Sequence, residues 1–368
     1  MAMVKCLVCG AVFEAGVKVC PVCGVGSEHF VPLEETSATP QGTNRRFLVL
    51  GGGIAAVSAQ AIREQDPSCS IVMLAGESVP PYARPMLTKG LSGSLDESKL
   101  MLHPESWYAE QRIFLLTGEE VTAIDPSARE VHCRSGLTMA YDRLVYALGA
   151  QCFVPPIPGS NLPHVTAIRS LADARKVRQE AEQAHTAAVI GGGVLGLEAA
   201  WAMQQLGLKV TVMEVAPQLM GRQLDTGTSA LLAQRLAALG MDVKLGANIT
   251  QITPEAVLLA DGSEIPAEIV LVSAGVRANV QLAQAAGLAC GRAVTVDDHM
   301  RTSYPDIFAC GDCAELNGVN MALWGEAQNQ GRTAGTNAVG GDAVCPPESG
   351  ALVLNALKTT LFSIGDCG

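Results

Sequence analysis

The feature of this chain that most constrains its fold is an internal repeat. Residues 45–77 read RRFLVLGGGIAAVSAQAIREQDPSCSIVMLAGE, and residues 186–217 read TAAVIGGGVLGLEAAWAMQQLGLKVTVMEVAP. Each copy contains an apolar strand, a glycine-rich turn, an alanine-rich helix, a second strand and then an acidic residue. This order is typical of a βαβ unit that binds a dinucleotide. Two copies therefore predict two dinucleotide-binding domains in one α/β chain.

The turn of the first copy has small residues at the three positions where a dinucleotide requires them. Gly51 permits the tight turn, Gly53 lets the backbone approach a pyrophosphate, and Ala56 permits close packing of the helix on the strand. The N–H groups at the start of the helix favour phosphate binding. Glu77 follows the second strand, where its carboxylate can accept hydrogen bonds from ribose hydroxyl groups.

The second copy repeats these features, with Gly191, Gly193 and Gly196 in the turn and Glu214 at the end of the second strand. A carboxylate at this position favours an unphosphorylated ribose, because it repels a 2′-phosphate. No basic residue follows Glu214 immediately in the segment MEVAPQLMGR. The sequence therefore predicts that NAD(H) is preferred over NADP(H).

The composition excludes two classes of partner. The chain is 48% hydrophobic with only 4% aromatic residues and 38 glycines, which is typical of an α/β protein. Its net charge of −11 argues against binding to nucleic acid or to an anionic membrane. The most apolar segment, residues 187–201, contains Glu198 and is interpreted as a buried strand and helix, not a membrane span. No secretory signal precedes the first cysteine, so we expect a cytoplasmic protein.

Five further segments carry a resemblance to a known family. In chain order they are PPYARPMLTKGLSG, YDRLVYALGA, SAGVRAN, TSYPDIFACGDCAE and WGEAQNQGRTAGTNAVGG. With the two glycine-rich turns, they resemble the FAD- and NAD-binding part of the pyridine nucleotide–disulfide oxidoreductase superfamily over residues 45–341. The chain is most similar to the branch that contains rubredoxin reductases and nitrite reductase flavoproteins.

The resemblance implies that the first turn binds FAD and the second binds NAD(H). It implies that Arg84 and Lys89 lie near the FAD phosphate and isoalloxazine, and that Asp312 binds the ribityl chain. Lys89 is the one candidate for a catalytic role, through its place near the flavin. The remaining motifs are expected to contribute further cofactor contacts: Gly149, Gly275, Gly311 and Trp324.

The resemblance also implies two Rossmann-like, three-layer domains, with the NAD-binding domain inserted into the FAD-binding domain. A small metal-binding domain precedes them, and the last residues resemble only the beginning of a C-terminal interface domain, which predicts a truncated end. The expected segments are a rubredoxin-like domain (1–33), a linker (34–44), the FAD-binding domain (45–152 and 280–345), the NAD-binding domain (153–279) and the start of the interface domain (346–368).

The thiols on which disulfide reductases of this superfamily depend are missing from the sequence. The helix after the first turn lacks a Cys-x4-Cys pair, and the segment PPYARPMLTKG contains no cysteine. Because no thiolate is placed to attack a flavin C4a position, a thiol relay is not expected. Cys310 and Cys313 flank the second FAD motif and are interpreted as small packing residues. The isolated cysteines receive no role.

The first residues contain two Cys-x-x-Cys pairs, each followed by glycine, in CLVCGAVFEAGVKVCPVCG. Four thiolates favour a tetrahedral site for zinc or for a single iron. So short a segment requires the metal in order to fold. The pairs and the aromatic Phe13 resemble rubredoxin-like domains, and fusion to a flavoprotein without redox thiols favours iron over zinc. The predicted ligands are Cys6, Cys9, Cys20 and Cys23.

The sequence thus predicts an FAD-dependent NAD(P)H oxidoreductase that passes electrons from NADH through FAD to a rubredoxin-type iron. An external acceptor protein, such as a rubredoxin or a rubrerythrin-like protein, would then receive them. Two alternatives remain open: a nitrite-reductase-like flavoprotein with a structural zinc, and a non-catalytic, truncated flavin-binding scaffold. If the interface domain is completed, the resemblance implies a homodimer.

Overall fold

The computed structural model describes residues 3–6, 12–21, 26–27, 30–32, 45–347 and 349–365 of the chain. The described residues divide into two compact units. The first unit draws on Met1–Ala83, Met101–Ala150 and Ala278–Ser349. The second unit draws on Arg84–Leu100, Gln151–Arg277 and Gly350–Gly368. Each unit is therefore built from three separate pieces of the chain.

The strands are short and are numbered in chain order. They are β1 (Met3–Cys6), β2 (Val12–Glu14), β3 (Phe30–Pro32), β4 (Arg46–Leu50), β5 (Ser70–Ala75), β6 (Ile113–Thr117), β7 (Val121–Asp125), β8 (Glu130–Cys133), β9 (Thr138–Ala140), β10 (Arg143–Tyr146), β11 (Ala150–Cys152), β12 (Val165–Thr166), β13 (Thr186–Ile190), β14 (Lys209–Glu214), β15 (Asp242–Leu245), β16 (Ile249–Ile252), β17 (Ala256–Leu259), β18 (Glu264–Pro266), β19 (Ile269–Val272), β20 (Val276–Ala278), β21 (Val294–Val296), β22 (Ile307–Ala309), β23 (Ala314–Leu316), β24 (Leu352–Ala356) and β25 (Thr359–Ser363).

The helices are numbered in the same way. They are α1 (Ala55–Gln65), α2 (Met86–Gly90), α3 (Glu97–Leu100), α4 (Glu105–Glu110), α5 (Leu171–Ala181), α6 (Val194–Gln205), α7 (Thr226–Ala238), α8 (Gln281–Ala285) and α9 (Trp324–Val339). No helix among the described residues is both long enough and apolar enough to cross a membrane.

The two units contain equivalent parallel sheets. The strand order is β22-β10-β4-β5-β6 in the first unit and β12-β19-β13-β14-β15 in the second. All neighbouring pairs in both sheets are parallel, and the central strands β4 and β13 are buried beyond their first residue. An antiparallel three-stranded meander accompanies each sheet, β7-β8-β9 in one unit and β16-β17-β18 in the other. The repeat therefore extends beyond the two motifs from which it was predicted.

In the first unit, helices α1 and α9 pack closely through small residues. A Cβ atom on Gly335 of α9 would overlap the carbonyl oxygen of Ser58 and would lie 2.8 Å from the Cβ of Ala61. Overlap with backbone cannot be relieved by a rotamer change, so Gly335 sets how closely the two helices approach. Ser58 and Ala61 are themselves buried on α1. This contact joins the helix of the first turn to the helix of the last family motif.

Two features differ from the sequence-based expectations. Residues 84–100 were assigned to the FAD-binding domain but pack within the second unit, where Thr88 and Lys89 contact Glu198. The segment 346–368 was expected only to begin an interface domain, and in it β24 and β25 form an antiparallel hairpin that packs within the second unit. In the second unit Arg235 donates hydrogen bonds to the carbonyl groups of the hairpin turn, at 2.9 Å each. These two hydrogen bonds satisfy carbonyl groups of the turn and attach the hairpin to α7.

Candidate functional site

The first glycine-rich turn has the geometry that a tight strand-to-helix connection requires. Gly51 follows β4 with φ of +132°, a region open to glycine but not to other residues. Its N–H donates a 2.8 Å hydrogen bond to the carbonyl of Leu74. A Cβ atom on Gly51 would overlap the carbonyl oxygen of Ala147. Gly53 and Ala56, at the other two predicted positions, are both buried.

The second turn reproduces this arrangement. Gly191 has φ of +120°, its N–H donates a 2.8 Å hydrogen bond to Met213, and a Cβ atom on it would overlap the carbonyl of Ser273. A Cβ atom on Gly196 would overlap the carbonyl of Gly191, so this position also admits only glycine. By contrast, no atom lies within 4 Å of a Cβ built on Gly193. Gly193 therefore leaves open space beside the backbone, which a pyrophosphate can use.

The helices that follow the two turns begin without a side-chain cap. The N-cap residues of α1, α6 and α9, which are Ile54, Gly193 and Leu323, make no side-chain hydrogen bond to the start of the helix. The helices α5 and α7 are instead capped by Ser170 and Asp225. Uncapped N–H groups together with the helix dipole favour an anionic group. Of the helices that lack such a cap, α1 and α6 follow the two glycine-rich turns and α9 contains the last family motif, whereas α2, α4 and α8 are short.

The two predicted acidic residues lie beside their turns. In the second unit, Glu214 accepts hydrogen bonds from the N–H groups of Gly192 and Ala216, at 2.7 and 2.8 Å. Its carboxylate is thus fixed at the carboxyl end of β14, next to the glycine-rich turn. In the first unit, Glu77 lies two residues beyond β5 and accepts a 2.7 Å hydrogen bond from the hydroxyl of the buried Tyr82. Both carboxylates are half-buried and held in place, as a ribose contact requires.

A pocket in the first unit contains the second FAD motif. Gly311 has φ of +77°, and its N–H donates a 2.8 Å hydrogen bond to the Gln330 side chain of α9. The side chain of Asn320 donates to the carbonyls of Asp312 and Ala314, at 3.0 and 2.8 Å, and so fixes this turn. The pocket is lined by Gly311, Asp312, Ala314, Asn320, Met321, Ala322, Leu323, Glu326, Ala327 and Gln330.

The chemistry of these residues fits the two cofactors. The first unit offers the start of α1 for a pyrophosphate, a fixed carboxylate for a ribose, and Asp312 in the second FAD motif for the ribityl chain. The second unit offers an uncapped helix, the open space at Gly193 and the fixed Glu214 for NAD(H).

The predicted FAD contacts Arg84 and Lys89 lie in the second unit. Lys89 pairs with Glu198 of α6, with 3.6 Å between Nζ and Oε1, and Thr88 donates a 2.7 Å hydrogen bond to Oε2. Glu198 is only 5% exposed, and this burial raises its pKa, while Lys89 and Thr88 oppose the rise. Sequence reasoning did not assign Glu198 to a site. The sequence feature that could have indicated a site is that Glu198 is a single acidic residue within an otherwise apolar helix. Arg84 donates a 2.7 Å hydrogen bond to the carbonyl of Arg169.

The other predicted cofactor contacts lie at turns and at a helix start. Gly149 and Gly275 both have positive φ, at +65° and +98°. The carbonyl of Gly149 accepts a 2.9 Å hydrogen bond from Asn279, and that of Gly275 accepts one of the same length from Phe153. Trp324 is half-buried and is the first residue of α9. Their contacts with cofactors remain predictions.

The cysteines beside the second FAD motif lie in the core of the first unit. Burial raises the pKa of the Cys310 thiol to about 12 and raises that of Cys313 further. Cys313 donates to the carbonyl groups of Cys310 and Tyr146, at 3.2 and 3.4 Å. A buried thiol with a raised pKa is a poor nucleophile, which agrees with their interpretation as packing residues.

The predicted metal ligands are described only in part. Cys6 lies in β1, the central strand of a three-stranded antiparallel sheet with the order β2-β1-β3, and its side chain lies outside the described residues. Cys9 and Cys23 also lie outside them. Cys20 is 2% exposed, although its neighbours Glu14–Val19 are exposed. The rings of Phe13 and Phe30 meet edge to face with 4.8 Å between centroids. The burial of Cys20 next to a run of exposed residues fits a thiolate that binds a metal.

Residues 45–331 match the family model described as pyridine nucleotide-disulphide oxidoreductase. The chain belongs to this family. The family assignment predicted from the motifs is therefore confirmed, and so is the α/β fold with two Rossmann-like domains.

Individual members of the pyridine nucleotide-disulphide oxidoreductase family resemble the chain over most of its length. It is 33% identical to the nitrite reductase [NAD(P)H] of Bacillus subtilis over 331 residues, which are 88% of this chain and 41% of that protein. It is 36% identical to the rubredoxin-NAD(+) reductase of Pseudomonas putida over 73% of this chain and 71% of that protein. The ferredoxin reductase for the CYP199A2 system from Rhodopseudomonas palustris has a similar structure, with a TM-score of 0.82, 30% identity, and coverage of 88% and 83%. The chain thus spans less than half the length of the Bacillus relative.

Proposed function

We propose that the chain is an FAD-dependent NADH oxidoreductase that delivers electrons through a rubredoxin-type iron to an external acceptor protein. The single observation that carries the proposal is the structural equivalence of the two glycine-rich turns, at Gly51 and Gly191. Each turn precedes a helix whose N-cap residue makes no side-chain hydrogen bond, and a carboxylate held by hydrogen bonds stands at or just after the end of the next strand. Two such turns in one chain support two bound dinucleotides, as direct transfer between FAD and NADH requires.

In this proposal the residues of each unit position one cofactor. The N–H groups at the start of α1 bind the FAD pyrophosphate, and Asp312 holds the ribityl chain. Gly193 admits the NADH pyrophosphate, and Glu214 accepts from the ribose hydroxyl groups. When bound, FAD would supply the chemistry that accepts one hydride, and so two electrons, and releases these two electrons one at a time. The protein binds and orients FAD and NADH and tunes the reactivity of FAD, so no side-chain nucleophile is needed.

The amino-terminal cysteines are proposed to hold the iron. The donor set of Cys6, Cys9, Cys20 and Cys23 favours a tetrathiolate metal site, and the burial of Cys20 supports it. The name of the Pseudomonas relative pairs a reductase of this family with rubredoxin. A chain that carries both parts could pass electrons internally before they reach a partner protein.

Rapid anaerobic mixing of the purified chain with excess NADH, followed by stopped-flow absorbance, tests this function. The absorbance of bound FAD should bleach first, and the ferric–thiolate bands should fade afterwards, with one iron per chain by elemental analysis. Cys9→Ser should abolish the iron bands and the reduction of a protein acceptor while leaving the reduction of a small dye unchanged. Cys290→Ser, which removes an isolated thiol, serves as the control. Iron bands that persist after FAD is bleached would contradict the relay.

A second candidate function is a nitrite-reductase-like flavoprotein whose cysteines bind a structural zinc. It is favoured by the match of 88% of the chain to the Bacillus nitrite reductase. The same elemental analysis distinguishes the two candidates. Stoichiometric zinc together with NADH-driven bleaching of FAD would support the second candidate and exclude the iron relay.

A further inference from the structure

Glu326 is a buried carboxylate that the proposed function does not use. It lies in the first turn of α9, is 7% exposed, and is among the residues that line the pocket of Asp312. Its Oε1 accepts hydrogen bonds from both the N–H and the hydroxyl of Ser349, at 2.8 and 3.0 Å. Two donors on one oxygen fix the carboxylate and stabilise negative charge on it.

The charge of this pocket is unbalanced. Of its ten lining residues, all within the described part of the chain, two are acidic, Asp312 and Glu326, and none is basic. The uncapped start of α9 offers a partial positive charge to the same region. A carboxylate in the first turn of the helix offsets that positive charge. The pocket therefore opposes any further negative charge placed in it.

We propose that Glu326 lowers the reduction potential of bound FAD, because its carboxylate holds a negative charge in the pocket of Asp312. The inference rests on the proposed function, which places FAD in this pocket. A cofactor that gains electrons gains negative charge, and a fixed carboxylate nearby makes that gain less favourable. Ser349 determines where the carboxylate lies.

The test is the midpoint potential of the FAD-loaded full chain, measured by anaerobic dye equilibration. Glu326→Gln keeps an acceptor oxygen for Ser349 but removes the charge. The variant should raise the equilibrium ratio of reduced to oxidised FAD at least about tenfold, a shift of about 30 mV for two electrons. Glu326→Asp, which retains the charge, should stay close to the unmodified chain. Met321→Lys adds a positive charge to the same pocket and should also raise the potential.

A matched control removes a carboxylate elsewhere in the same unit. Asp342 lies three residues beyond the other end of α9, its side chain is 90% exposed, and the helix between Glu326 and Val339 is about 20 Å long. Asp342→Asn should leave the potential unchanged. An unchanged potential in both Glu326→Gln and Met321→Lys would overturn the inference while leaving the proposed function intact. A chain that binds no FAD at all would overturn both.

Discussion

Lys89 and Glu198 form an ion pair within the second unit although they are 109 positions apart in the sequence, on either side of a domain boundary predicted at residue 153. The carboxylate is 5% exposed and the lysine side chain is 32% exposed. Burial raises the pKa of Glu198 above its ordinary value of 4.5, so the folded chain binds a proton there more tightly than the unfolded chain does. Stability from this site therefore falls as pH rises from about 4.5 through the raised pKa.

Replacement of Lys89 by methionine is the first prediction. Without the ammonium group the buried carboxylate becomes more costly to ionise, so the pKa of Glu198 should rise further. Urea unfolding should show a loss of about 1–3 kcal/mol near pH 8, and a smaller loss near pH 5. The double variant Lys89→Met with Glu198→Gln should recover most of the stability that Lys89→Met loses near pH 8. Lys209→Met, which removes an exposed partner 4.0 Å from Asp242, should change stability by less than about 0.5 kcal/mol. Equal losses in the two lysine variants would contradict the prediction.

The second prediction separates two glycines of the NAD(H) turn. Gly193→Ala adds a methyl group to open space. The free energy of unfolding should therefore fall by no more than about 1 kcal/mol, which is the cost of a poorer N-cap. The methyl group should nevertheless raise the KM for NADH. Gly196→Ala brings its methyl group against the carbonyl of Gly191 and should cost about 1–3 kcal/mol. Chemical denaturation and NADH-dependent dye reduction measure the two effects. Similar stabilities for the two variants would show that the turn relaxes.

Cofactor preference gives the third prediction. Glu214→Gln removes the negative charge at the end of β14 and keeps an acceptor oxygen for one of the two N–H groups, those of Gly192 and Ala216, that the carboxylate now binds. The ratio of kcat/KM for NADH to that for NADPH should fall, by about tenfold if one charge-assisted hydrogen bond is lost. Asp242→Asn, at the amino end of the neighbouring strand β15, should leave the ratio unchanged. A ratio insensitive to Glu214 would mean that another residue selects the nucleotide.

The fourth prediction concerns the buried thiols. With the pKa of Cys310 raised to about 12, the thiolate is scarce near pH 8, and burial denies access to reagents. Mass spectrometry after alkylation of the folded chain should find Cys310 and Cys313 unmodified, whereas the half-buried Cys290 reacts sooner. The double variant Cys310→Ala and Cys313→Ala should retain NADH-dependent dye reduction. Loss of that activity with FAD still bound would show that these thiols take part in the reaction.

The sequence was sufficient where the structure depends on local chemistry. The strand Arg46–Leu50 and the helix Ala55–Gln65 lie where the glycine-rich turn predicted them, because a positive φ at Gly51 and a run of alanines leave few alternatives. The same holds for β13, α6 and Glu214 in the second copy.

Contacts between distant segments could not be predicted in this way. The meander strands β7, β8 and β9 are only three to five residues long. An alternation of buried and exposed residues over so few positions does not distinguish a strand from a loop. The pairing of Lys89 with Glu198 depends on which segments the fold brings together, and no local pattern encodes that. Glu326 likewise accepts hydrogen bonds from Ser349, which lies 23 residues further along the chain. Motif reading found the turns, whereas the charged residues of the interior required the structure.

The division of the second unit among three pieces of chain limits how it can be rearranged. Its largest piece begins and ends at neighbouring points, since Asn279 donates a 2.9 Å hydrogen bond to Gly149 in the first unit. A short connector could therefore replace residues 151–277. Such an excision would leave Leu87, Leu95 and Leu354 without the surfaces that now bury them. A chimaera that takes its nucleotide specificity from a relative would therefore need all three pieces of the second unit from that relative. A chimaera in which only residues 151–277 are exchanged should aggregate.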